Sequence, residues 1–303
     1  MARTIILLLV SLIVIPVLVF RFDRPPEEAQ WALLGLLTTV YVILASLCFV
    51  VSTITRNYSQ VDKLWSIMPI VYAWLVVLNT PPDPRITLMA ILVTIWGLRL
   101  TYNFSRRGGY SWKFWTGVED YRWEYLRQNS ALRNPVIWTV FNLLFISFYQ
   151  MGLILLFTLP IVKSVGGPTL HAGDWVLAIA LIVMVLIETI ADQQQWNFQE
   201  AKRQAINDGT VEQSAYAHGF VRSGLWRIVR HPNYAAEQGF WILFYCMSIA
   251  ATGSWFNWSI AGVLLLLILF KSSADFSEGI SAKKYPQYVD YQKSTGRFLP
   301  KLW

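Results

Sequence analysis

The stretch VIWTVFNLLFISFYQMGLILLFTLPIV, residues 136–162, carries no charged side chain, and its reading decides the fold. A bilayer core about 30 Å thick is crossed by about 20 mostly apolar helical residues. Working outward, comparable runs occupy roughly 4–20, 31–51, 64–79, 86–104, 175–191, 234–252 and 255–271. The sequence therefore predicts an all-α, multi-pass transmembrane helix bundle of about eight spans, within a range of six to eight. The range reflects the runs at 64–79 and 255–271, which are short for independent spans. The first run follows Met1-Ala2-Arg3 and ends at Val19-Phe20-Arg21 without a small-residue cleavage site, so it reads as a helix rather than a signal peptide.

Composition points the same way. Of 303 residues, 55% are hydrophobic and 14% charged, against roughly 25% charged in soluble domains, and the mean hydropathy is +0.43. A soluble globular fold and a disordered chain are both excluded. Cys48 and Cys246 lie inside apolar runs, which rules out a disulfide framework. No repeat, low-complexity tract or long linker divides the chain. Residues 1–303 are expected to form a single integral membrane domain, with N-terminal spans over 1–135 and a C-terminal part over 185–303.

Basic residues set the expected orientation. Arg106, Arg107, Lys113, Arg122, Arg127 and Arg133 crowd the loop 105–135. Lys202, Arg203, Arg222, Arg227 and Arg230 follow in 192–233, and six more lie in 271–303. The alternate connections hold only Arg21, Arg24, Arg85 and Lys163. The three basic segments, and with eight spans both termini, are expected in the cytosol. Topology thus accounts for the net charge of +7, and without a dense basic stripe no nucleic-acid partner is expected. Many of the 15 Trp residues, such as Trp31, Trp65, Trp138, Trp175, Trp255 and Trp258, fall near span ends as interfacial anchors.

Polar groups inside apolar helices need a reason. The sharpest case is Arg230-His231-Pro232-Asn233-Tyr234-Ala235-Ala236-Glu237. Pro232 suits a first helical position, His231 the cap, and Asn233 and Glu237 fall one turn apart. A helix start beside Arg230 can receive phosphates or a carboxylate, or it can simply make a salt bridge at headgroup level. Glu188 and Asp192 stand one turn apart and should face inward, followed by the polar run Gln193 to Gln199. Arg99, a turn inside the fourth run, either faces the bundle or snorkels outward. Asp62 opens the third run and reads alternatively as a surface cap, while Glu119-Asp120-Tyr121-Arg122-Trp123 either folds over a site or lies at the interface. The tail, with Tyr285, Tyr288 and Tyr291, should pack on the helix ends. His171, His218 and His231 lack metal-ligand spacing, and neither a serine elbow nor a Rossmann or Walker loop occurs.

The segment Gly224-Leu225-Trp226-Arg227-Ile228-Val229-Arg230-His231-Pro232-Asn233-Tyr234, with Glu237 and the Lys284-Tyr285-Pro286…Tyr288…Tyr291…Pro300 tail, resembles the steroid 5-alpha-reductase superfamily. Its multi-pass C-terminal-domain branch is related to the sterol C14 and delta-7 reductases and the isoprenylcysteine carboxyl methyltransferases. The resemblance spans about 185–303 and is weaker before that. It implies an NADPH site formed by Asp192, Asn233 and Glu237, with Arg230, His231, Tyr234, Tyr288 and Arg99 as further cofactor-binding candidates and Arg203 as a further cation. It implies Asp62 as the acid near a substrate ketone. Trp96 stands where the family has a tyrosine, so Tyr102 is the expected replacement as proton donor, and Glu188 replaces a family asparagine. Glu278 is kept while the arginines around it are not.

The reaction so implied is hydride transfer from NADPH to a lipophilic enone of steroid, sterol or isoprenoid type reaching the site from the bilayer. The same motif leaves two alternatives, an S-adenosylmethionine-dependent lipid methyltransferase and a non-catalytic membrane protein that keeps the fold. The expected location is the endoplasmic reticulum membrane in a eukaryotic host and the inner membrane in a bacterial one. Oligomeric state is left open.

Overall fold

The computed structural model describes residues 2–113, 115–128, 132–210 and 216–301. Among these, all regular structure is helical: α1 (Ala2–Phe22), α2 (Glu28–Thr55), α3 (Gln60–Leu78), α4 (Pro84–Ser105), α5 (Tyr121–Arg127), α6 (Pro135–Lys163), α7 (Ala172–Asn207), α8 (Leu225–Ile228), α9 (Pro232–Thr252), α10 (Ile260–Lys284) and α11 (Tyr288–Ser294). The predicted apolar runs lie on helices, except that 255–259 precede α10. Six of them, α2, α3, α4, α6, α7 and α10, are long and apolar enough to cross a membrane. They fit a multi-pass integral membrane protein. The apolar part of α1, Ile6–Phe22, is shorter, and α9 opens with Asn233, Glu237 and Gln238.

Helix starts follow local chemistry. Asp83 accepts hydrogen bonds from the backbone of Arg85 and Ile86 ahead of α4, with Pro84 at the first position. Asn134 does the same for Val136 and Ile137 before Pro135 of α6. Glu27 and Gln30 form a reciprocal capping box at α2. Within α6, Asn142–Tyr149 winds as a π-helix. Two helices run past their apolar stretches, α7 to Asn207 and α10 to Lys284. Their extensions present polar side chains, including the Lys271–Asp275 ion pair one turn apart at 2.8 Å.

Contacts divide the chain into two compact units, 1–178 with 242–266, and 179–241 with 267–303. In the first, α3 and α4 approach closely at Gly97, where an added Cβ would stand 2.6 Å from the Ser66 carbonyl oxygen. Small residues let membrane helices make such approaches. The connection after α4 is pinned to the start of α3: Asn57 donates to the Gly117 carbonyl (2.9 Å), Gln60 to Trp115 (2.9 Å), and the buried Lys63 to Thr116 (2.6 Å).

Two ion pairs are buried in this unit. Arg85 holds Asp174 through both oxygens, at 2.8 and 2.9 Å, with neither side chain exposed, and also donates to the carbonyls of Pro168 and Thr169. Lys163 meets Asp23 at 2.8 Å. Burial alone would raise the Asp23 carboxyl, but bonds from Lys163 and from the backbone of Trp258 and Arg24 hold it below the usual range.

Removing Arg85 alone leaves Asp174 buried without its cation. Arg85→Met should therefore cost about 3–5 kcal/mol, with much of the loss recovered in Arg85→Met/Asp174→Leu. Denaturant unfolding in mixed micelles reads both. Equal stability of the single variant and the wild type would show that the pair contributes nothing.

Candidate functional site

The second unit holds most of the polar groups singled out by sequence. Gly224, at φ +60°, turns the chain into the short α8. After it Val229 is extended and bridges to Gly296. The Arg230 N–H donates to the Gly296 carbonyl (2.8 Å) and the His231 N–H to that of Arg297 (3.1 Å). Pro232 then opens α9 without needing a donor, and His231 accepts from Ala235 N–H as the first helical carbonyl (2.9 Å).

Glu278 of α10, 2% exposed, organises this junction. Arg230 donates to both of its oxygens at 2.8 and 3.2 Å. His231 lies 2.9 Å away through Nε2, Gln292 donates at 2.9 Å, and Arg297 donates at 3.0 Å. The remaining Arg230 nitrogen donates to the carbonyls of Gln292, at 3.0 Å, and Thr295. Arg230 and His231, expected at cofactor phosphates, are thus engaged by Glu278 and the tail. The His231 ring stacks on Tyr234 at 5.3 Å, and Tyr234 packs edge-on against Phe270 at 4.9 Å.

One step into α9, the Asn233 amide donates to Asp192 Oδ1 of α7 at 3.1 Å, and its carbonyl accepts from Tyr234 N–H. Asn233 is half-buried, whereas Asp192, Glu188 and Glu237 are 4%, 2% and 7% exposed. The structure thus brings Asp192 and Asn233 together, with buried carboxylates one turn further along each helix. The second amide N–H of Asn233 has no partner among the described residues. Beside these residues a shallow recess of about 260 Å³, lined by apolar side chains such as Met184, Ile187, Ala235 and Phe298, runs along the same two helices.

Tyr288 sits apart from this cluster. It is buried against Phe220 and Tyr291, at ring distances of 4.9 and 5.6 Å, and burial pushes its phenol up. Tyr285 differs. Burial would raise it too, but Lys202, donating at 2.8 Å, holds it below its ordinary value.

Asp62, Arg99 and Tyr102 belong to the first unit. Asp62 accepts from Trp123 Nε1 at 3.0 Å and has Arg122 at 3.9 Å, so the Glu119 to Trp123 loop does fold onto the start of α3. Arg99 is half-buried. Tyr102 is not brought to Asp62: it lies on an outward face of α4, 68% exposed, with Arg106 of the next turn over its ring at 5.8 Å. Sequence reasoning did not assign Gln292 and Arg297 to the Glu278 cluster. Their signal, charge and amide groups on the tail, identifies no partner by itself.

An all-helical membrane protein with a buried polar junction between a motif-bearing helix start and its tail is the class these features define. The chain belongs to the family described as a protein of unknown function, DUF1295, which matches residues 48–295. It is also similar to an uncharacterised protein of Schizosaccharomyces pombe, 36% identical over 273 residues that cover 86% of this chain and 77% of the relative. No solved structure matches it.

Replacing Glu278 by Ala should strand the buried Arg230 guanidinium and lower stability by about 3–5 kcal/mol. Release of the tail would then show as faster proteolysis at residues 288–301, whereas Glu278→Gln, which keeps acceptor and volume, should release it less. An unchanged cleavage rate in both variants would remove Glu278 from this role.

Proposed function

We propose that this protein is a membrane-embedded reductase of the steroid 5-alpha-reductase superfamily that uses NADPH to reduce a carbon–carbon double bond in a lipophilic enone. The observation that carries the reading is the Asn233–Asp192 hydrogen bond at 3.1 Å. It joins two residues that the family resemblance assigns to the cofactor, on helices whose contact was not imposed by neighbouring sequence. The donor set fits the group in kind. A spare amide N–H on Asn233 and buried carboxylates at Asp192 and Glu237 suit a carboxamide and sugar hydroxyls.

NADPH supplies a hydride when bound. Hydride addition to the β carbon makes an enolate oxygen that needs a proton or a positive dipole. In the resemblance Asp62 takes the acid's place, and within its own unit this carboxylate is oriented by Trp123 and Arg122. Tyr102, under Arg106, is dropped from that role. Arg230 and His231 act as positioning residues, fixing where α9 begins and hence where Asn233 and Glu237 point. The apolar recess beside Pro232 and Ala235 offers a surface to a lipophilic body. The basic loops face the cytosol in this reading, where NADPH is available, and the protein lies in the endoplasmic reticulum or, in a bacterium, the inner membrane.

Thermal stabilisation in detergent tests the proposal. Saturating NADPH should raise the melting temperature by an amount equivalent to about 2.7 kcal/mol at a hundredfold excess over Kd. Asn233→Ala should weaken NADPH binding about tenfold, the equivalent of one lost hydrogen bond to a polar ligand group. Selective stabilisation by S-adenosylmethionine would replace this reading with a methyltransferase. Stabilisation by neither would favour a non-catalytic role.

A further inference from the structure

NADPH carries a pyrophosphate and a phosphate monoester, and the latter bears close to two negative charges at neutral pH. With Arg230 tied to Glu278, Gln292 and Thr295, other cations must meet them. The second unit has a second recess, of about 510 Å³, lined by Arg222, Arg227, Gln287, Asp290, Ser294 and Thr295.

The two arginines are presented differently. Arg222 donates to Nε2 of His218, whose Nδ1 lies 2.9 Å from the Gln287 side-chain oxygen. The His218 ring thus lies between Arg222 and Gln287. Arg227, on α8, is exposed, and its guanidinium has no hydrogen bond or ion pair among the described residues. The floor is fixed. Tyr291 donates to the Trp226 carbonyl, and the Thr295 carbonyl accepts from Arg230. The one acidic group lining the recess, Asp290, pairs with Lys293 at 3.4 Å.

We infer that this recess is a phosphate-monoester subsite, with Arg222 and Arg227 as its cations, which takes the 2′-phosphate of NADPH. Two guanidinium groups lining one recess match a tetrahedral dianion better than the single negative charge on each half of a pyrophosphate. The recess is reached from Arg230 through Thr295, so it adjoins the junction that fixes α9. The inference rests on the reductase reading. It makes the chain selective for NADPH over NADH through residues outside the Asp192–Asn233 pair.

Full-length protein in a neutral detergent is titrated with NADPH, NADH and 2′,5′-ADP, with thermal stabilisation as the readout. Arg227→Gln and Arg222→Gln are compared with Arg133→Gln, which removes an exposed arginine ahead of α6 that donates to the Gln128 carbonyl. Arg227→Gln should raise the apparent Kd for NADPH and 2′,5′-ADP about tenfold, the loss of roughly 1.4 kcal/mol, and leave NADH unchanged. Arg222→Gln should act in the same direction, and Arg133→Gln should change nothing. Unaltered ligand-free melting temperatures would show that the variants fold.

Equal weakening of NADPH and NADH would move the arginines to the pyrophosphate and overturn the monoester assignment. Equal NADPH affinity in all variants would overturn the subsite while leaving the reductase reading intact. If neither dinucleotide stabilises the wild type, that reading falls. The subsite is then decided by 2′,5′-ADP alone: binding lost in Arg227→Gln retains it, and absence of binding rejects it. A phospholipid headgroup as the true occupant would show as loss of 2′,5′-ADP binding when phosphatidic acid is added to the micelles while NADH binding persists, and would overturn the assignment to NADPH.

Discussion

A carboxylate removed from water must be surrounded by donors or it will not remain charged there, and Glu278 meets that demand with Arg230, His231, Gln292 and Arg297. The requirement runs both ways. Arg230 is buried as well, and without Glu278 it would be an unpaired cation in the interior. Three segments remote in sequence, the polar end of α10, the start of α9 and the tail after α11, are thereby held at one point. The direction in which α9 leaves that point sets the position of Asn233 against Asp192. A charged cluster that touches no proposed reacting group thus governs the geometry of the groups that do.

The first unit uses the same physics for another purpose. Arg85 with Asp174 and Lys163 with Asp23 are buried pairs formed at helix ends rather than in the middle of the apolar spans. These are two of the four basic residues on the charge-poor set of connections. Their charge is offset locally.

The spans were legible because apolar residues recur over lengths that match a bilayer. The helix ends were not: α7 and α10 continue through polar residues whose helicity comes from side-chain pairing and from tertiary contacts rather than from an apolar stripe. Asp192 and Asn233 were assigned to one site by the family resemblance rather than by any pattern of apolar residues, and the structure joins them by a hydrogen bond. The identity of Glu278's partners could not be anticipated, since Gln292 and Arg297 reach it only once the tail has folded back. Tyr102 was chosen only as the phenol nearest to Trp96, and proximity in sequence does not fix a side chain's direction: it is 68% exposed, with Arg106 over its ring.

The parallel bridge between Val229 and Gly296 carries a consequence for the order in which the protein is made. During synthesis the start of α9 emerges well before its partners, so the backbone N–H groups of Arg230 and His231 must wait for Gly296 and Arg297, and their side chains for Glu278. Non-local contacts of this kind form late and slow the final ordering of a fold. The apolar helices can therefore enter the membrane while the polar junction is still open, and maturation of the junction becomes a post-translational event governed by the tail.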